Sequence, residues 1–263
     1  MRGSAEVLRG LVGSTGRSVR WWMWRLGHRL LGWNPRKYDE TGQISAREFW
    51  ERHGGTYREE SLSHPEVRER NRRQLAVLID YLEGRPGVRV LEVGCGYGQH
   101  LAELSDALPQ ISLIGVDLSG SMLVSAHAHL AGRLVRLVQA DAARLPFRDA
   151  AFDAVLTTGS VSFIHPRHAG AVFDELLRVT RERIYHFERY RRHLKERIHQ
   201  ESFDLSNVSF PHDYEAEYER RGQRIVESSL FPFYTRESLK VLPMSTIIVE
   251  RVRSGNHGRG RRP

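Results

Sequence analysis

Cysteine is nearly absent from this chain. Cys95 stands alone among 263 residues, so no intrachain disulfide and no cluster of thiolate ligands can form, which fits a reducing compartment. Long apolar runs are missing as well. No stretch approaches the ~20 residues that span a bilayer, and the N-terminus lacks the uninterrupted apolar core and small-residue cleavage site of a secretory leader. A cytoplasmic location is therefore the expectation. The middle of the chain also lacks a charge excess. Of a formal net charge of +8, residues 1–40 carry eight basic against three acidic side chains and residues 250–263 five against one, which leaves 41–249 at −1. A nucleic-acid-binding domain would place its basic residues on its own folded face. Here they sit at the two ends, so no nucleic-acid partner is expected.

What is present suits one α/β domain with an extension: a 40% apolar composition can build a sizeable core. The sequence divides into a basic, Trp-rich N-terminal extension over residues 1–64, a main domain over 65–253, and a Gly/Arg-rich tail over 254–263 expected to be disordered. Residues 17–33, RSVRWWMWRLGHRLLGW, hold four of the five tryptophans among four arginines. Such interleaving favours an interface between apolar material and anionic headgroups. Peripheral contact with an anionic membrane, at the inner membrane surface, is one reading of this segment. Because Trp21, Trp22, Met23 and Trp24 are consecutive, they spread around a helix rather than lining one stripe. Packing as a cap on the main domain, or as a lid over a substrate, are the other two readings.

A short helix is expected around 46–52, and Ser63-His64-Pro65-Glu66 reads as the start of a helix running to Leu82. Leu75, Leu78, Ile79 and Leu82 share one of its faces, and Gly84-Arg85-Pro86-Gly87 ends it. Strand and helix patterns then alternate: strands at 88–93, 111–116, 134–140, 152–157 and 184–187, helices at 99–108, 119–130 and 167–179. That alternation predicts right-handed crossovers and a mostly parallel sheet. A charged helix to about 201, a helix near 213–221 and strands at 224–230 and 246–252 complete the pattern.

The central chemical signal is Val90-Leu91-Glu92-Val93-Gly94-Cys95-Gly96-Tyr97-Gly98, glycines at alternate positions between a strand and a helix. Only glycine lets the backbone turn sharply there and approach a ligand closely. The helix N-terminus adds unpaired N–H groups and partial positive charge, suited to a carboxylate. Dinucleotide enzymes also carry a Gly-rich strand-to-helix turn, but theirs reads G-x-G-x-x-G, whereas this is G-x-G-x-G with Glu92 two residues ahead. Asp117 ends the second strand, where an open α/β sheet presents its ligand crevice, and can accept from both hydroxyls of a ribose. Asp141 ends the third and can accept from an adenine amino group. The presumed strand ends at Val93, Asp117 and Asp141 stand twenty-four residues apart, the length of one βα unit.

With these residues assembled, the sequence resembles the class I S-adenosylmethionine-dependent methyltransferases, small-molecule branch, including those of ubiquinone and menaquinone biosynthesis. The matching stretches are VLEVGCGYGQH (90–100), IGVDLSGSML (114–123), VQADAARLPF (138–147) and FDAVLTTGSVSFIH (152–165). The resemblance implies a Rossmann-like, doubly wound, mostly parallel seven-stranded sheet with an antiparallel C-terminal strand, here preceded by a helical extension. It implies S-adenosyl-L-methionine as cofactor. Gly94, Gly96 and Gly98 form the methionine-side loop, Asp117 takes the ribose, Leu118 and Met122 wall the adenine, and Asp141 and Ala142 meet its edge. Thr157 and Thr158 follow the fourth strand near the sulfonium. Glu92 and Cys95 belong to the same loop stretch and join the cofactor-binding candidates. One stretch departs from the pattern: where the family has a Pro-Gly-Gly-type turn before strand five, this chain reads Val179-Thr180-Arg181-Glu182-Arg183, so a tighter turn is expected.

The reaction so implied is an in-line attack on the methyl carbon of a sulfonium, in which alignment matters most. A base is needed only where the acceptor must lose a proton. His165, just beyond strand four, is the first candidate; Tyr185, His186 and Glu188 are weaker ones. No Asn/Asp-Pro-Pro-Tyr/Phe follows strand four, and the histidine pairs His165/His168 and His127/His129 lack a third ligand nearby in sequence, so no metal site is expected. The expected function is methyl transfer to an O or N atom of a small or medium-sized metabolite. The alternatives are a membrane-surface or interaction protein that keeps the cofactor fold without catalysis, an NAD-dependent oxidoreductase, and an RNA methyltransferase.

Overall fold

The computed structural model of the protein describes residues 43–62, 65–189, 210, 212–231 and 244–252. Segment 17–33, the expected charged helix after 188, Ser63 at the presumed helix start and the tail 254–263 lie outside the described residues. The chain divides into two compact units, Met1–Ala46 and Arg47–Pro263. The sheet and its loops belong to the second.

In chain order the elements are α1 (Gln43–His53), α2 (Tyr57–Leu62), α3 (Pro65–Leu82), β1 (Arg89–Val93), α4 (Gln99–Ala107), β2 (Ser112–Asp117), α5 (Gly120–His129), β3 (Val135–Gln139) and β4 (Phe152–Thr158). A single 3₁₀ turn (Val161–Phe163) follows, then α6 (Pro166–Val179), β5 (Thr180–Glu188), α7 (Tyr214–Glu219), β6 (Arg224–Phe231) and β7 (Met244–Glu250). The seven strands form one sheet in the order β3-β2-β1-β4-β5-β7-β6. Strands β3, β2, β1, β4 and β5 pair in parallel, while β7 runs antiparallel to both β5 and β6. The doubly wound sheet and its antiparallel C-terminal strand are thus as expected. That β7 inserts between β5 and β6 comes from the tertiary structure.

Two apolar layers flank the sheet. On one face, Leu75, Leu78 and Leu82 of α3 and Leu101 and Leu104 of α4 pack on Val90, Leu113, Ala154, Leu156, Tyr185 and Phe187. On the other, Val172, Phe173, Leu176 and Val179 of α6, with Tyr214 and Tyr218 of α7, pack on Leu91, Val93, Val155, Ile184, Ile247 and Val249. The alternation of neighbouring strand residues between the layers is the period of 2 of a β-strand. Each fully buried Leu or Val contributes about 1.5–3 kcal/mol. No helix among the described residues is long and apolar enough to cross a membrane.

Before strand five the chain turns tightly. Helix α6 ends at Val179 and β5 begins at Thr180, which is also the helix C-cap. The Thr180 hydroxyl donates to the Leu176 carbonyl at 2.6 Å. Arg181 then clamps the start of β4, with its guanidinium 2.5 Å from Asp153 Oδ1. Two ion-paired side chains and a helix C-cap thus do the work of a glycine turn.

Candidate active site

The sheet order reverses between β1 and β4, and in an open α/β sheet the ligand crevice lies outside the strand C-termini at that point. Three loops meet there. Gly94, Gly96 and Gly98 all take positive φ (75°, 52° and 82°), where side chains are strained. Their reasons differ. A Cβ on Gly94 would stand 2.2 Å from Ser160 Cβ, and one on Gly98 would stand 2.8 Å from Leu130 Cδ1. A Cβ on Gly96 would meet nothing within 4 Å. Two glycines are thus packed against neighbouring loops, and the middle one faces open space.

Asp117 lies at the end of β2 beside that opening. Its Oδ2 accepts from the Gly96 N–H at 2.8 Å and its Oδ1 from the Ser119 N–H at 2.9 Å. Burial raises its pKa above the ordinary carboxylate value, and the N–H groups of Ser119, Gly96 and Leu118 oppose that rise. A carboxylate offers about four acceptor positions; those that these N–H groups do not take remain for a ribose hydroxyl. Leu118 is half-buried and Met122 buried, on either side of the N-cap of α5. Asp141 lies two residues beyond β3, which ends at Gln139, not at the strand end itself. Its Oδ1 accepts from the Ala143 N–H at 2.8 Å, and it is half-buried together with Ala142. The Ala140 N–H donates to the Asp117 carbonyl at 3.0 Å, so the ends of β2 and β3 are tied to each other.

Two other candidates point into the core. Glu92 is 1% exposed, and its Oε1 lies 3.0 Å from His100 Nδ1 of α4, beneath the loop. Its Oε2 is buried without a hydrogen-bond partner. Burial pushes its pKa up, and His100 opposes the shift. The Cys95 side chain is buried in the α3/α4 layer; its N–H donates to the Val116 carbonyl at 3.0 Å. Thr157 and Thr158, which close β4 rather than follow it, divide in the same way. Thr157 is fully buried on the α6/α7 side, 2.7 Å from His186 Nδ1. Thr158, on the opposite face by strand alternation, has an Oγ1 buried without a partner.

The turn after β4 is held from both ends. Glu188, at the end of β5 and fully buried, accepts from the N–H groups of Ser160 (2.9 Å), Val161 (3.0 Å) and Ser162 (3.3 Å). His212 Nε2 lies 3.1 Å from the Val161 carbonyl and 3.0 Å from that of Ile164. Beside this clamp, His186 is enclosed between Thr157 and Tyr218, whose hydroxyl is 2.7 Å from its Nε2. Burial lowers its pKa to about 3, so it is neutral at physiological pH. The Tyr185 hydroxyl is buried in the α3 layer, and burial pushes its pKa up to about 12. His165 is the N-cap of α6, where its Nδ1 accepts from the Arg167 N–H at 3.3 Å.

Sequence reasoning missed Glu51, Trp50 and Ser160. The Ser160 hydroxyl donates to the Val93 carbonyl at 2.8 Å and joins the β4 turn to the glycine loop. No local pattern marks any of the three, because each meets its partner across more than sixty residues.

The geometry fits S-adenosylmethionine. Space is open over Gly96, Asp117 keeps spare acceptor positions, and the Thr158 hydroxyl lacks a partner. A family model described as "Methyltransferase domain" matches residues 90–183. The demethylmenaquinone methyltransferase of Beutenbergia cavernae is 36% identical over 103 residues, 39% of this chain and 40% of that protein. The malonyl-[acyl-carrier protein] O-methyltransferase of Geobacter sulfurreducens is 36% identical over 85 residues, 32% of each. The match to these curated relatives therefore spans 40% or less of their length. Among solved structures, magnesium protoporphyrin IX methyltransferase of Synechocystis PCC 6803 with bound S-adenosylmethionine aligns with a TM-score of 0.57 at 16% identity. That alignment covers 79% of this chain and 97% of that one, and it shows the shared fold. Residues 90–183 thus match a methyltransferase domain and are similar to the corresponding stretch of demethylmenaquinone methyltransferases, on the fold shared with S-adenosylmethionine-binding methyltransferases.

Proposed function

We propose that the protein transfers a methyl group from S-adenosylmethionine to an O or N atom of a small or medium-sized metabolite. The observation that carries this is the meeting, at one switch point, of an open glycine loop and carboxylates after two neighbouring strands. The cofactor supplies a methyl group activated on a sulfonium. Asp117 accepts the ribose hydroxyls, Asp141 and Ala142 meet the adenine edge, and Leu118 and Met122 wall the ring. The Gly94–Gly98 loop receives the methionine end, and Thr158 offers its hydroxyl on the same side. Glu92 and Cys95 act from below, by fixing the loop. The near-neutral charge over residues 41–249 supports a metabolite acceptor over a polyanion.

His165 is the proposed base for an acceptor that must lose its proton. Because Nδ1 accepts the Arg167 N–H, the neutral ring carries its proton on Nε2. The ring takes up a further proton only by releasing the cap. The test begins with titration calorimetry of S-adenosylhomocysteine against NAD. Binding of the first and not the second is expected; the reverse result overturns the reading. Methyl-labelled S-adenosylmethionine with a panel of hydroxylated and amino metabolites then identifies the acceptor. The composition of residues 17–33 supports peripheral membrane contact. Co-sedimentation with anionic liposomes at low salt tests that contact, and protein left in the supernatant refutes it.

A further inference from the structure

The first turn of α5 forms one wall of the crevice, and α1 reaches it from outside the sheet. Ser119 already caps that helix, its Oγ accepting from the Met122 N–H at 3.2 Å. Two N–H groups remain, and Glu51 of α1 takes both: Oε1 accepts from Gly120 at 2.7 Å and Oε2 from Ser121 at 2.9 Å. The Ser119 hydroxyl lies 3.3 Å from Glu51 Oε2, while the Ser119 N–H serves Asp117. One residue thus joins the ribose-side carboxylate to the carboxylate of α1.

Further contacts run the same way. The Ser121 hydroxyl reaches the Glu51 carbonyl at 2.8 Å, and the Ser125 hydroxyl donates to the Gly54 carbonyl at 2.7 Å. Gly54 is pressed so close that a Cβ there would stand 2.2 Å from Ser121 Oγ and 2.8 Å from the Met122 nitrogen. On its other side, the Trp50 ring meets Phe163 of the β4 turn edge-on at 5.1 Å and Tyr57 at 5.2 Å. Tyr57 in turn lies 6.1 Å from Tyr97 of the glycine loop. The 47–54 segment therefore contacts the β2 side of the crevice through Glu51 and Gly54 and the β4 side through Trp50. A residue needed only to cap α5 would have no reason to come from an element that also touches the opposite wall.

We propose that the 47–54 segment closes over the cofactor crevice and that Glu51 is its latch, a positioning residue that holds the Leu118–Met122 wall and sets the rate of cofactor exchange. This rests on the methyltransferase reading above. With the latch closed, the N–H groups of Gly120 and Ser121 are occupied and the crevice is bridged from β2 to β4. Exchange of cofactor for product requires Glu51 to leave both N–H groups and Trp50 to leave Phe163. Charge-assisted hydrogen bonds of this kind are the strong ones, so their loss is expected to show in rates.

The experiment uses the full chain, as wild type, Glu51→Ala and Glu51→Gln. Dissociation of S-adenosylhomocysteine is followed alongside hydrogen exchange of the Gly120 and Ser121 amides without cofactor. Glu51→Ala should speed both by about tenfold or more. It should raise KM for the cofactor while kcat at saturation changes much less, a split that general destabilisation does not produce. Glu51→Gln keeps one acceptor oxygen and should fall between, and it decides the matter if Glu51→Ala does not fold. Unchanged dissociation and unchanged amide exchange in the variant overturn the latch alone. A wild-type protein that binds no S-adenosylhomocysteine overturns both the latch and the methyltransferase reading.

Discussion

The two halves of the sheet treat polar groups in opposite ways. At the ends of β2 and β3 they stand beside the glycine loop, while Glu92 of β1 is buried on His100. Asp117 and Asp141 are half-buried and accept from main-chain N–H groups, and a Cβ on Gly96 would meet nothing within 4 Å. Around β4, β5 and β7 they are sealed in. Glu188, His186, Thr157 and His212 are all below a tenth exposed and hold one another or the β4 turn. A group meant for a ligand must keep acceptor capacity and access, while a group meant to shape a loop spends its capacity on the main chain. On the proposed function the first half receives the cofactor, while the second fixes the geometry of one turn.

The comparison breaks most sharply at Glu188. Glu188→Ala would orphan three N–H groups, two of them buried, at about 1–3 kcal/mol for each buried one. We expect a loss of at least ~3 kcal/mol in denaturant unfolding, from a total that for such domains is about 5–15 kcal/mol. A variant as stable as wild type would show that the turn does not depend on this carboxylate. Next comes Gly96→Val, which forces a β-branched residue to φ 52° in the space a ligand would use. Cofactor affinity should fall by about a hundredfold or more, with a stability cost of only about 1–3 kcal/mol for the strained backbone. Normal binding would make the loop a mere turn.

Asp117→Ala should weaken S-adenosylhomocysteine binding by roughly ten- to a hundredfold, from lost charge-assisted bonds of about 1.5–3 kcal/mol each. Unaltered affinity in a calorimetric titration would remove Asp117 from the ribose site. His165→Asn is gentler, because Asn also caps helices well and stability should stay within about 0.5 kcal/mol. If His165 is the base, the transfer rate falls while the melting temperature holds; an unchanged rate leaves it as a cap only. The smallest effect concerns pH. The N–H groups of Ser121 and Gly120 lower the Glu51 pKa below its ordinary 4.5. A depressed carboxylate stabilises the fold above its unfolded pKa and loses that contribution as pH falls through the folded value. The difference in cofactor dissociation between wild type and Glu51→Ala should therefore be constant above about pH 5 and shrink below pH 4.5, on top of the Asp117 titration that both proteins share.

Much of this was legible in the chain itself. Alternation of strand and helix periods placed β1, β2, β3 and β4 within two residues of their observed bounds, because period 2 and period 3.6 are local consequences of backbone geometry. The glycines announced a positive-φ loop since few other residues tolerate one. Strand five was read too short, at 184–187 against Thr180–Glu188, because its first half carries charged residues that pair across the sheet edge, Arg181 with Asp153 and Glu182 with Arg85. Thr157 and Thr158 could not be told apart in sequence; only the sheet shows that one meets His186 and the other has an unpartnered hydroxyl.

By itself, then, the sequence determined the order of elements, the glycine loop and the two carboxylates that follow β2 and β3, since each depends on residues close to one another along the chain. The tertiary structure alone decided that β7 enters between β5 and β6, that Glu92 points inward to His100, that Glu188 reaches the turn after β4, and that Glu51 bridges seventy residues to the N-terminus of α5. A hydrogen bond between distant segments forms only where packing brings donor and acceptor within about 3 Å at a workable angle. Residue type states what a side chain can accept, and only the packed fold states what is offered to it.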